Sequence, residues 1–172
     1  MALTLDATIG DIGANAYVTQ ALATAYMDGK RGASAWGSAT SGDLDQAIVA
    51  ATTRIDEEKF IGVVADSITP QRLKFPRAGL EDEDGNVIAN NVIPEPIQRA
   101  TMELALEMVK SGDVDLYGPT GLEGFEEIKI GSLEVTPKSE TRAGGKALPS
   151  AVIRLLSHFR VSGGSSVRLS RS

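Results

Sequence analysis

The chain contains no cysteine, a single histidine and few aromatic residues, which make up 5% of its 172 residues. Without cysteine there is no disulfide framework and no thiolate metal site, and the composition fits a reducing compartment. No run of about 18 apolar residues occurs, so we expect no membrane-spanning helix. The first twenty residues lack a basic start and a long apolar stretch, so we expect no signal peptide. The length predicts one domain with a real core.

Acidic residues are absent from one part of the chain. All 23 lie within residues 1–140, together with 11 of the 17 basic residues, so a body of net charge −12 precedes a basic end of +6. This asymmetry indicates two surfaces with different partners. The alternative is a solvated body with a disordered tail.

Motifs for catalysis or cofactor binding are also missing. A Ser-His-Asp triad could use only His158, and no G-x-S-x-G elbow precedes any serine. Gly144-Gly145-Lys146 is followed by Ala147, so the phosphate-loop pattern fails. A lone histidine without cysteine makes a zinc site improbable. We therefore predict no enzyme, no cofactor and no metal, with His158 as a surface or packing residue.

Two acidic runs have structural interpretations. The run Asp82, Asp84, Asn86 resembles the start of a calcium loop, but Val87 and Ile93 stand where such a loop needs Gly and Glu. A tight turn at Asp84-Gly85-Asn86 is the better interpretation. The run Asp56-Glu57-Glu58 is more consistent with a solvated face or an inter-subunit contact than with paired catalytic carboxylates.

Apolar periodicity predicts a mainly α protein: a small helical bundle with a β-hairpin arm and an extended C-terminal tail. The predicted helices are Gln20–Asp28 after an N-cap at Thr19, Asp43 to about Lys59, about Glu95–Lys110, and about Pro149–Arg160. The third is apolar over most of its circumference, which indicates cover on two sides. Its polar ridge predicts an Arg99–Glu103 pair.

Four residues are predicted to form core and scaffold. Trp36 lies in a loop of small residues over 32–42. Leu73 and Phe75 alternate as in a short buried strand, which Pro76 stops because it cannot donate to a ladder.

A second apolar alternation predicts a hairpin over about 126–136. Ile128 and Ile130 face Leu133 and Val135 across a Gly131-Ser132 turn. We divide the chain into an N-terminal arm (1–14), a body (15–160) and a basic tail (161–172).

The order of these parts resembles the head–tail connector (adaptor) proteins of tailed bacteriophages, some of which carry the label "DnaT-like". The matching segments are Asn15-Ala16-Tyr17-Val18-Thr19, Ala50–Asp56, Gln71–Gly79, Asp84-Gly85, Ile93-Pro94 and Ile130–Val135. They cover most of the chain. The basic extension after Arg160 differs from the usual members.

The resemblance implies a structural virion protein that forms a ring, typically a dodecamer, between portal and tail. Its partners would be copies of itself, the portal protein, a tail or head-closure protein, and double-stranded DNA that passes through without specific binding, with no membrane. It would reside in the virion neck after assembly in the host cytoplasm. An acidic lumen would let the genome slide, because phosphate affinity needs Lys and Arg.

Charge asymmetry and apolar alternation suggest where such contacts would lie. The predicted portal-binding residues are Arg154, Arg160, Arg168, Leu169 and Arg171. The predicted ring contacts are Ile128, Ile130, Leu133 and Val135.

Two other functions remain open. A single-stranded DNA-binding or replication-associated module would need a basic groove with stacking aromatics, but the body is acidic and its aromatics are scattered. A small cytoplasmic regulatory domain with no virion role is the other alternative.

Overall fold

Five α-helices make up the frame of the part of the chain that the structure describes. This structure is a computed structural model, and it describes residues 3–65, 70–112 and 147–161, with the backbone of 128–130 and 133–135. The helices are α1 (Gln20–Asp28), α2 (Ser34–Ser38), α3 (Ser41–Asp56), α4 (Glu95–Ser111) and α5 (Ser150–Leu156). None of these described helices is long and apolar enough to cross a membrane.

Short strands form three separate antiparallel ladders within the described residues. Their bounds are β1 (Val63–Val64), β2 (Arg77–Ala78), β3 (Leu80–Glu81), β4 (Val87–Ile88), β5 (Ile128–Ile130) and β6 (Leu133–Val135). The strands pair β1 with β2, β3 with β4, and β5 with β6. The mainly α class and the predicted β5–β6 hairpin are confirmed.

The central element is α4, which packs against α3, α5 and α2. Its apolar residues are buried on more than one side, as its sequence predicts. The buried set is Ile97, Ala100, Thr101, Met102, Leu104, Ala105, Leu106 and Met108. Gly112 ends the helix in the left-handed conformation, with φ of +69°, and its N–H donates to the Met108 carbonyl.

Side-chain caps decide where the first and third helices begin. The backbone N–H of Leu22 donates to Thr19 Oγ1 at 3.2 Å, so the predicted cap of α1 is confirmed. The predicted start of α3 at Asp43 is wrong, because Thr40 caps that helix. Thr40 Oγ1 accepts from the Asp43 N–H at 3.2 Å, and the Asp43 carboxylate accepts from the Thr40 N–H at 3.3 Å. Asp43 is thus the third residue of a capping box.

Trp36 lies on a short helix, not in the loop that the sequence predicts. Its side chain is 2% exposed, and its indole N–H donates to Thr24 Oγ1 at 3.2 Å. Small residues surround Trp36 in the sequence, and small neighbours carry little periodicity by which a helix of one turn could be recognised.

The strand predicted over Gln71–Phe75 is absent, and the ladder forms one residue beyond Pro76. Phe75 is 1% exposed because it packs edge-on against Phe60 and Tyr17, with ring centroids 4.9 and 5.8 Å away. Pro76 is buried after a cis peptide bond, and Leu73 is half-buried against the core. The alternation of Leu73 and Phe75 therefore comes from two apolar side chains that pack onto the core, in a segment without regular secondary structure.

Arg77 is the buried cation that holds this irregular segment to the end of α3. Its guanidinium donates to the carbonyls of Ile61 and Gly62, both at 2.7 Å, and to those of Phe60 and Lys74 at 3.3 Å. Burial lowers the pKa of Arg77 from its usual value. Four carbonyls in fixed positions suit the planar fork of an arginine.

A polar cluster joins α1 to α4. Glu103 accepts hydrogen bonds from the Tyr26 hydroxyl, at 2.6 Å, and from the Lys30 ammonium. The predicted Arg99–Glu103 pair is wrong, since Arg99 lies 3.8 Å from Glu95 and Glu103 faces α1. Burial alone would raise the pKa of Glu103, but the hydrogen bonds from Lys30 and Tyr26 outweigh it and lower the pKa.

The described part of the N-terminal arm is docked by its backbone. The Asp6 carbonyl accepts from the N–H groups of Asn15 and Ala16 at 2.8 and 3.0 Å, and the Asn15 side chain accepts from the Asp6 N–H at 2.8 Å. Leu5 and Ala7 pack against the core.

Replacing Gly62 by alanine tests the reversal after α3. Gly62 has φ of +73°, and an added Cβ would lie 2.5 Å from the Ala78 carbonyl oxygen. We expect Gly62→Ala to lower the free energy of unfolding by about 2 kcal/mol or more, from strain plus displacement of β2. Gly85→Ala has a similar φ of +82° but open space, so strain alone should cost about 1 kcal/mol. Equal urea midpoints for the two variants would contradict the clash.

Replacing Glu103 by glutamine tests the cluster between α1 and α4 through its pH dependence. The carboxylate has a lowered pKa in the folded state, so it stabilises the fold above its ordinary value of 4.5 and loses that effect as pH falls through the folded pKa. Glu103→Gln should therefore destabilise the protein at pH 7, with the difference from wild type shrinking below about pH 4.5. Urea titrations across pH 3–7 measure this difference in the free energy of unfolding.

Glu107→Gln is the matched control, because Glu107 meets Lys110 in an exposed pair. Exposed pairs contribute little, so we expect a small change at every pH. A difference for Glu103→Gln that stays constant down to pH 3 would refute the assignment.

Candidate interaction groove

A groove of about 590 Å³ lies between the β3–β4 turn, the start of α4 and α5. Its apolar surface is contributed by Ile88, Val92, Ile93, Leu155 and Phe159. Its polar rim comes from Glu83, Asp84, Glu95, Arg99, Arg154 and His158. Apolar floors with a polar rim are typical of surfaces that receive another chain.

The acidic wall is a hydrogen-bonded turn between β3 and β4. The Asp82 carboxylate accepts from the N–H groups of Asp84 and Asn86 at 3.0 and 2.8 Å, and from the Asn86 side-chain amide at 2.9 Å. The bonds from Asn86, above all, lower the pKa of Asp82. Gly85 supplies the left-handed conformation, with φ of +82°. The turn predicted at Asp84-Gly85-Asn86 is thus present.

The two acidic residues at the tip of this turn point outward. Glu83 and Asp84 are exposed, and neither carboxylate has an ion-pair partner among the described residues. No group of three or more His, Cys, Asp or Glu in the described ranges could hold a metal ion. The turn therefore offers negative charge to a partner.

The opposite wall is formed by the end of α5 and the residues that follow it. Phe159 is buried, and the His158 ring meets it edge-on with centroids 5.0 Å apart. His158 Nε2 donates to the Glu81 carbonyl at 2.9 Å. The one histidine thus joins the segment after α5 to β3, which agrees with a packing role.

Of the predicted portal-binding residues, Arg154 and Arg160 lie in the described part and have different surroundings. Arg154 is exposed on the groove wall and has no ion-pair partner among the described residues. Arg160 is bound to Glu58, with Nη2 2.7 Å from the carboxylate. Arg168, Leu169 and Arg171 lie outside the described residues. The structure therefore brings only Arg154 to the groove.

Glu58 joins three segments of the chain, a role that its sequence neighbourhood does not reveal. Its carboxylate also binds Arg54 at 2.8 Å, and its carbonyl accepts from the Lys74 ammonium at 2.8 Å. Arg160 is further held by an antiparallel bridge to Phe60. The solvated face predicted for Asp56-Glu57-Glu58 is wrong for Glu58, since its side chain is 13% exposed.

Asp56, in the same run, also faces inward. Its carboxylate accepts from the Tyr17 hydroxyl, and from the Lys74 N–H at 2.8 Å. Burial, reinforced by this carboxylate, raises the pKa of Tyr17. The pair holds the segment before Pro76 against α3, so it is structural.

The predicted ring-contact residues form the β5–β6 ladder. Ile128 pairs with Val135, and Ile130 with Leu133, in the register that the sequence predicts. No third described strand joins either edge of this ladder. Open edges of this kind can accept a strand from another chain.

Features for binding single-stranded DNA are sparse in the part of the chain that the structure describes. Its aromatic rings are buried, apart from the half-buried Tyr26. The other five are Tyr17, Trp36, Phe60, Phe75 and Phe159. Several cations are committed to protein partners, as with Lys30, Arg54, Arg77 and Arg160. Stacking platforms need exposed rings beside available cations.

Comparison with protein families decides one point. The sequence model of a family described as "putative DnaT-like ssDNA binding protein" matches residues 1–172. The chain belongs to this DnaT-like family. No curated protein and no solved structure matches it significantly.

The family description bears unequally on the functions that the sequence suggests. It agrees with the DnaT-like label that accompanies the resemblance, and it favours the single-stranded DNA-binding alternative over the connector. Nothing in the comparisons supports a connector role. Membership therefore assigns a family but no residue-level role.

Removing the carboxylate of Asp82 tests whether the acidic wall is preformed. We expect Asp82→Ala to speed hydrogen exchange at the Asp84 and Asn86 amides several-fold, because both lose their acceptor. Glu83→Ala is the control, since that side chain accepts none of these bonds. Unchanged exchange in Asp82→Ala would show that the backbone alone holds the turn.

Proposed function

We propose that this member of the DnaT-like family is a structural subunit that assembles with copies of itself into a ring at the head–tail junction of a phage. In this role it joins the portal to the tail and leaves an opening for the genome. It carries out no chemistry, and duplex DNA passes without specific binding.

The observation that carries the proposal is that the aromatic rings of the described body are mostly buried and most of its cations are already paired within the protein. Rings that could stack on bases are mostly buried, and cations that could bind phosphate are largely held by carboxylates or carbonyls. Acidic residues such as Glu83 and Asp84 remain exposed. A surface of this kind repels a phosphate backbone, which suits passage more than capture.

The groove and the open ladder support an assembly role. The groove combines apolar floor with polar rim, and the ladder leaves two strand edges without a third described strand. A ring subunit needs two different contact surfaces, because each copy meets its neighbours head to tail. The resemblance in segments such as Gln71–Gly79 is the remaining support.

Single-stranded DNA binding is the second candidate, and the family description favours it. In this case binding would depend on the basic residues that follow Glu140, most of which lie outside the described residues. Affinity carried by Lys and Arg alone falls steeply with salt.

Electron microscopy of the protein mixed with portal rings of the same virus tests the connector proposal. We expect rings stacked on the portal, and weak binding to a fluorescent oligonucleotide that disappears at physiological salt. A chain truncated after Val161 should fold, because it keeps the Val161 N–H that bonds to the Lys59 carbonyl. We expect this truncated chain to fail to join the portal. Circular dichroism checks its folding.

The outcomes separate the candidates. Tight oligonucleotide binding at physiological salt, without assembly on portals, would establish the DNA-binding module. If the protein is absent from purified particles, and neither binds oligonucleotides nor assembles on portals, a regulatory domain is indicated. Normal docking of the truncated chain would show that residues 162–172 are not needed for contact with the portal.

A further inference from the structure

The interaction groove has an apolar floor beside carboxylates that have no ion-pair partner among the described residues, and the same chain carries a segment of complementary composition. Exposed Glu83 and Asp84 form one rim, while Val92 and Leu155 contribute to the floor. The segment Val167-Arg168-Leu169-Ser170-Arg171 carries two positive charges and no negative ones, with two apolar residues two positions apart. In an extended chain, Val167 and Leu169 share one side.

We propose that this groove receives the Val167–Arg171 segment of a second copy of the chain, an inference that rests on the proposed ring. Val167 and Leu169 cover the apolar floor, and Arg168 meets the carboxylates of Glu83 and Asp84. Each copy then gives a tail to one neighbour and takes a tail from the other, which is the head-to-tail contact that closes a ring. In this arrangement Arg168 and Leu169 contact the neighbouring copy instead of the portal, and loss of the tail prevents portal docking by preventing ring closure.

The sequence sets a maximum length for the tail beyond its last described residue. Arg160 is anchored by Glu58 and by the bridge to Phe60. Six residues, from Ser162 to Val167, can extend by at most about 20 Å. Four of them are Gly163-Gly164-Ser165-Ser166, a composition typical of linkers.

Docking onto a neighbour is favoured over docking onto the same chain. Arg154 and Leu155, which line one wall, lie on the helix that immediately precedes the tail. A tail returning within its own chain would have to turn back along α5 after being held at Arg160. A neighbouring copy presents the same groove without that reversal.

Disulfide trapping tests the proposal, and the chain offers a clean background because it has no cysteine. Val92→Cys places a thiol on the groove floor, and Leu169→Cys places one on the side of the tail that faces this floor while keeping both arginines. The two full-length single variants, one carrying a size tag, are mixed and oxidised. We expect a heterodimer band several-fold stronger than that from Ile12→Cys mixed with Leu169→Cys, since Ile12 is exposed outside the groove.

Charge reversal then checks the rim. Glu83→Lys/Asp84→Lys on the Val92→Cys chain should reduce the heterodimer to the control level. Arg168→Glu/Arg171→Glu on the Leu169→Cys chain should restore it. The matched reversal Asp28→Lys/Asp45→Lys, which changes net charge equally outside the groove, should leave it unchanged.

The remaining outcomes overturn the proposal. A heterodimer no stronger than the Ile12 control means that the tail does not enter the groove. A chain carrying both Val92→Cys and Leu169→Cys that closes only an internal loop, seen as a faster-migrating monomer, means that the tail binds its own groove. Since no portal is present, failure here leaves the connector role to be judged by the portal experiment.

Discussion

The structure depends on α4 being covered on more than one side. Residues such as Ile97, Leu104 and Met108 leave no exposed apolar stripe once α3, α5 and α2 are in place. Burying one large apolar side chain is worth about 1.5–3 kcal/mol, so this helix provides much of the driving force. Elements that do not touch α4 are held by other means.

These elements are held mainly by hydrogen bonds and ion pairs between segments without regular secondary structure. Arg77 binds four carbonyls around the end of α3, and Glu58 binds side chains from α3 and from the chain after α5. Removing one partner would leave a buried charge or carbonyl unpaired, which is costly. These contacts supplement the two-residue ladder of β1 and β2, and they hold the segment that leads into β3, from which the acidic turn projects.

The groove follows from this arrangement. His158, just after α5, bonds to β3, and the Asp82 carboxylate accepts hydrogen bonds within the β3–β4 turn, so contacts within the chain hold both walls. A surface held in this way loses little conformational entropy when a partner binds. The exposed charges at Glu83, Asp84 and Arg154 then serve specificity and orientation more than affinity.

The sequence by itself determined the helices with strong periodicity, the Thr19 cap, the acidic turn and the hairpin register, because these depend on neighbours close along the chain. Tertiary structure decided the helical state around Trp36, the fate of Gln71–Phe75, and the partners of Glu58 and Arg77. It also brought Arg154 across from the acidic turn, some seventy positions earlier. Local pattern cannot encode these features, since each depends on which distant carbonyl, carboxylate or ring the fold places beside the residue.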